Sequence, residues 1–66
     1  MAEQFGTQKA AMKWLEANFG MYWEENSEEG RYGACVPPKD AKDEPIYAFA
    51  DTVVETVEKL SALVEA

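Results

Sequence analysis

Sixty-six residues with a net charge of −7, one cysteine and no histidine set narrow limits. They predict one small domain, 1–66, held by apolar packing and helped by self-association, because no internal disulfide can form and the usual zinc ligands are missing. The deficit of lysine and arginine disfavours direct binding to nucleic acid or to an anionic membrane, and no run approaches the roughly 20 apolar residues of a membrane span.

Helical spacing begins after Thr7. Ala10, Ala11, Trp14, Leu15, Asn18 and Phe19 fall on one arc with Lys9, Lys13 and Glu16 opposite, which predicts a helix over 8–19. Thr7 suits an N-cap, and Gly20 is placed to stop the helix in a left-handed conformation. Two segments with aromatic and β-branched residues follow, 21–25 and 31–36, separated by Asn26, Ser27, Glu28, Glu29 and Gly30. They predict a β-hairpin with a four- or five-residue loop. Pro37 and Pro38 end the second strand, and 39–44 is a polar loop.

Residues 45–50 are apolar on both faces and predict a short third strand, with a helix running into the next segment as the alternative. From Asp51 onward the spacing is helical again. Val53, Val54, Val57, Leu60, Leu63 and Val64 cover one broad arc, Thr52 and Glu55 have capping-box spacing, and Glu55 and Lys59 stand at i, i+4. The expected fold is α+β in the order α-β-β-β-α, a three-stranded antiparallel sheet packed against two helices.

The charge is uneven. Residues 1–23 are neutral, while 24–66 hold eleven acids against four cations. Glu24, Glu25, Glu28 and Glu29 surround the hairpin tip beside Tyr22 and Trp23. On the last helix, Asp51, Glu55, Glu58 and Glu65 fall within about 40° of one line, with rises of about 6, 4.5 and 10.5 Å. Carboxylates so spaced imitate a row of phosphates; they are equally the solvated face of an acidic amphipathic helix. In the first strand Met21, Trp23 and Glu25 share one face and Tyr22 and Glu24 the other. At least one large ring is therefore left on the open side of the sheet, where it suits a binding surface steered by charge. The bland reading is that the acids protect a hairpin from edge pairing.

Catalysis is not expected. Without histidine, Ser27, Ser61 and Cys35 lack an activating base, and Cys35 reads as a small core residue of an apolar strand. The 40–44 stretch lacks the alternating ligands and central glycine of a calcium loop. No cofactor or metal is expected. No basic start leads into an apolar stretch, and Met1 opens what reads as a complete gene product, so a reducing, soluble setting in the cytoplasm of a bacterial cell is expected.

In type, the chain resembles the small acidic proteins with which bacteriophages disable host defences, notably anti-CRISPR and DNA-mimic inhibitors. The carboxylates at Glu24, Glu25, Glu28 and Glu29 and on the Asp51, Glu55, Glu58, Glu65 line carry that resemblance. The passage PIYAFADTVVETVEKL is similar to a small phage inhibitor of bacterial RNA polymerase over a quarter of the chain. The resemblance implies a non-enzymatic inhibitor whose partner is a basic protein, a nucleic-acid-handling host complex, bound through those acids with Tyr22 and Trp23. The alternatives are an assembly module that forms a homodimer, or an immunity or antitoxin protein that neutralises a basic partner.

Overall fold

Threonine hydroxyls start both helices. Thr7 accepts the Ala10 amide at 3.2 Å and Thr52 the Glu55 amide at 3.1 Å, each satisfying a donor that the first helical turn leaves without a partner. The computed structural model describes residues 5–65. In chain order its elements are α1 (Gln8–Ala17), β1 (Met21–Ser27), β2 (Gly30–Val36), β3 (Ile46–Ala50) and α2 (Val53–Glu65). This is the expected α+β order; of the 45–50 stretch, Ile46–Ala50 is strand rather than helix and Pro45 lies just before it.

α1 ends two residues before the sequence predicts. Gly20 donates to the Leu15 carbonyl at 2.7 Å and Phe19 to the Glu16 carbonyl at 3.2 Å, the paired bonds of a Schellman cap. The left-handed residue of that cap is Phe19, with φ 58°, not Gly20. Glycine is required at position 20 for another reason. A Cβ there would stand 2.6 Å from Leu15 Cδ2 and 2.9 Å from the Cys35 carbonyl oxygen. Gly20 allows the chain to cross tightly over β2, and the conformational cost falls on its neighbour. Phe19 also leaves the apolar arc on which periodicity placed it and is 84% exposed.

The hairpin turn is tighter than expected. β1 runs to Ser27, which pairs with Gly30, so only Glu28 and Glu29 form the turn. The register shifts by one between Glu24 and Ser27, a β-bulge that absorbs the left-handed Asn26 at φ 51°. The sheet order is β1-β2-β3, all antiparallel, with Trp23 opposite Gly33 and Gly33 opposite Phe49.

Alternation along the strands divides the two faces. Tyr32, Ala34, Val36, Ile46, Ala48 and Ala50 lie beneath the helices, where Ala34, Val36, Ala48 and Ala50 are buried. α2 crosses β2 and β3, and α1 packs chiefly on α2. Val57, Leu60 and Ala11 are fully buried and Leu15 nearly so; truncating such a leucine costs about 2–5 kcal/mol. Thr56 and Ser61 are buried as well. Their hydroxyls donate to the Thr52 and Glu58 carbonyls at 2.6 and 2.9 Å, so neither is a polar orphan in the core. Leu63, expected on the buried arc, is instead 50% exposed.

Replacing Phe19 by glycine removes a left-handed side chain that buries almost nothing. Phe19→Gly is expected to stabilise the fold by about 1 kcal/mol, a rise in Tm of roughly 4–8 °C for a domain of this size. Thermal unfolding followed by circular dichroism measures it, and an unchanged or lower Tm shows that the ring has a packing role.

Candidate interaction surface

Among the described residues no helix covers the second face of the sheet. Pairing places Met21 and Trp23 from β1, Arg31, Gly33 and Cys35 from β2, and Tyr47 and Phe49 from β3 on it. Gly33 is what makes the cluster possible. A Cβ at this position would lie 2.7 Å from Trp23 Cε2 and 2.8 Å from Phe49 Cε1, so the indole rests on bare backbone. Tyr47 and Phe49 meet Trp23 edge to face, at centroid separations of 6.4 and 6.2 Å and angles of 73° and 77°. Such pairs contribute about 0.5–1.5 kcal/mol each beyond area burial. The Trp23 indole N–H donates to Glu25 Oε1 at 2.8 Å, which fixes the ring and engages one acid of the hairpin.

The remaining candidate residues divide into three groups. Glu24 and Tyr22 lie on the helix side of β1 but beyond the reach of the helices, so both are exposed, Tyr22 by 42%. Glu28 and Glu29 are exposed at the turn. The four-acid line on α2 does not form as the helical projection drew it. Asp51 precedes the capping Thr52 and lies outside the helix, so helical phase does not govern it. Glu58 is half-buried and accepts the Phe5 amide at 2.9 Å, tying the first described residue to the last helix. Glu55 and Glu65 are exposed, but they stand in the first and last turns of α2, at opposite ends of the same element.

Tertiary structure brings together acids that the sequence separates. A Cβ on Gly30 would meet the Ala50 carbonyl oxygen at 2.7 Å, so the Glu28–Glu29 turn abuts the end of β3. Asp51 follows directly, and Glu55 lies in the first turn of α2. Glu28, Glu29, Asp51 and Glu55 therefore occupy one end of the molecule, all exposed, while Glu65 belongs to the other end. Arg31 is the exposed cation on the adjoining strand.

Sequence reasoning named Trp23 but missed its partners Gly33, Tyr47 and Phe49. The signal was present in the Tyr47-Ala48-Phe49 alternation, which puts both rings on one face whatever the register. Cys35 is half-buried on the open face rather than in the core, and desolvation raises its pKa. That keeps the thiol protonated and unreactive at neutral pH. At the opposite end of the molecule, Asn18, Phe19, Pro37, Pro38, Ile46 and Val64 border a cavity of about 490 Å³. Among the described residues no group of three His, Cys, Asp or Glu side chains is placed to hold a metal ion, and no helix is long and apolar enough to cross a membrane.

Gly33→Ala is expected to force Trp23 off the backbone, to destabilise the fold by about 1–3 kcal/mol, and to shift tryptophan emission to the red. Denaturant unfolding with the emission spectrum tests this, and wild-type stability with an unchanged spectrum contradicts it.

No protein-family model, no curated protein and no solved structure matches the chain.

Proposed function

We propose that this chain is a non-enzymatic, protein-binding inhibitor of the anti-CRISPR type, which occupies a basic nucleic-acid-binding groove on a host effector complex. The observation that carries this reading is the convergence of Glu28, Glu29, Asp51 and Glu55 at one end of the fold. Carboxylates from a hairpin turn, a strand end and a helix start present negative charge to a partner's lysines and arginines from several backbone directions, as phosphates do. Charge of this kind steers encounter and sets specificity. The neighbouring aromatic face supplies what charge alone lacks. Met21 is 63% and Tyr47 51% exposed, and methionine and aromatic side chains of this kind are enriched in interfaces.

Two acids named from sequence have internal work in this reading. Glu25 holds the Trp23 indole and Glu58 holds the Phe5 amide, so reversing either alters the fold as well as the surface. The informative substitutions avoid them. Glu28→Lys with Glu29→Lys, and Asp51→Lys with Glu55→Lys, are each expected to weaken inhibition of a purified CRISPR effector roughly tenfold or more, with circular dichroism unchanged apart from the small loss of a favourable charge at the start of α2. Parent binding should compete with guide or target nucleic acid and slow steeply with salt. If both doubly reversed variants inhibit as the parent does, the acidic end is not the recognition surface.

A further inference from the structure

β3 is an edge strand, and its outer side is built to accept another strand. The Ala50 amide and carbonyl lie against β2, within 2.8 and 2.7 Å of the position a Gly30 Cβ would take. The Phe49 carbonyl turns the other way, accepting the Lys59 ammonium at 3.1 Å. Since backbone groups alternate along an antiparallel strand, Tyr47 shares the outward direction of Phe49. Beside this edge, Tyr47, Phe49, Lys59, Ala62 and Leu63 border a groove of about 490 Å³ between strand and helix. Tyr47 is 51% and Leu63 50% exposed along it.

We propose that the occupant of this edge is a second copy of the chain, with the two β3 strands antiparallel about a twofold axis at Ala48. That register uses every outward group. Tyr47 of each copy pairs with Phe49 of the other, giving four backbone hydrogen bonds. Moving the axis to Tyr47 would set Phe49 against Pro45, which has no N–H to give. On the open face the chosen register extends each Trp23, Tyr47 and Phe49 cluster into its counterpart. On the helix side it opposes Ala48 to Ala48, small enough for Leu63 and Ala62 of both copies to approach the joined grooves. The result is one six-stranded sheet with an isologous interface.

Charge and area both admit a second copy here. The ionic residues bordering the groove are Lys59 and Glu29, so the groove itself is locally neutral on a molecule of net charge −7, and the repulsion from exposed acids such as Asp51 and Glu44 at the ends of the strand is weakened by salt. A specific interface needs about 1,000 Å² in total, which is about a tenth of each copy's 4778 Å² surface. A five-residue strand edge with the half-exposed Tyr47 and Leu63 and the flanking turns of α2 is of that scale. Lys59 guards the edge, since it must release the Phe49 carbonyl when a strand docks.

The pairing does not depend on the inhibitor reading, and salt separates them: self-association should strengthen with salt while capture of a basic partner weakens. The test is sedimentation of the full chain from micromolar to millimolar concentration at low and high salt, with the Tyr47 and Phe49 amide resonances followed by NMR. The expected result is a shift from one chain to two, more readily at high salt, with those two amides moving and gaining protection from exchange. Leu63→Lys, at a half-exposed site, and Tyr47→Pro, which removes an outward N–H together with the ring that meets Trp23, should each weaken association roughly tenfold or more. A single chain at millimolar concentration in both salts overturns the proposal. So does a dimer in which the Tyr47 and Phe49 amides do not respond, or one that neither variant weakens.

Discussion

The middle of the sheet is made of residues with almost no side chain, and every other layer is placed by how closely it approaches them. On the helix side Ala34, Ala48 and Ala50 are buried beneath α2. A methyl-thick floor lets α2 settle close enough for Val57 and Leu60 to lose all contact with water. On the open side Gly33 offers no side chain, and the Trp23 indole takes the space with Phe49 at its edge. Larger residues at these positions would push both layers outward. In a domain that buries only about 60% of its unfolded surface, there is little stability to absorb such a displacement.

The same economy explains where backbone strain sits. Gly20 and Gly30 are spent on close passages, one over the Leu15 side chain and the Cys35 carbonyl, the other against Ala50. Neither the end of α1 nor the bulge in β1 has glycine at its left-handed position, so Phe19 and Asn26 adopt that conformation themselves. Asparagine tolerates this region well and phenylalanine does not.

Local chemistry made most of the fold legible in advance. Thr7 and Thr52 cap as their positions suggest, Pro37-Pro38 follows the last residue of β2, and the order of elements is written in successive periodicities. What the linear chain concealed were contacts between distant segments. That Gly20 packs on Cys35 cannot be inferred from its place after a helix, so the left-handed role was given to the wrong residue. On α2 the buried face turns toward Thr56 and Ser61 because their hydroxyls return to the helix's own carbonyls. Counting only aliphatic residues therefore drew the arc toward Leu63. The acidic residues show the limit most clearly. The helical projection that aligned Asp51 with Glu55, Glu58 and Glu65 presumed a helix beginning before Thr52, while the grouping that exists joins a turn and a helix start through the contact of Gly30 with Ala50.

α1 illustrates what this architecture demands of a newly made chain. Ten residues are too few for a helix to persist alone in water, and its main support is α2, the final element. The sheet that separates them in the chain also needs α2 to cover its alanine face. No part of the fold that lacks α2 contains a complete core, so no N-terminal portion of the domain can fold ahead of that helix. Until the stretch of α2 that carries Val57, Leu60 and Ser61 is in place, the earlier elements are a collection of segments awaiting one another.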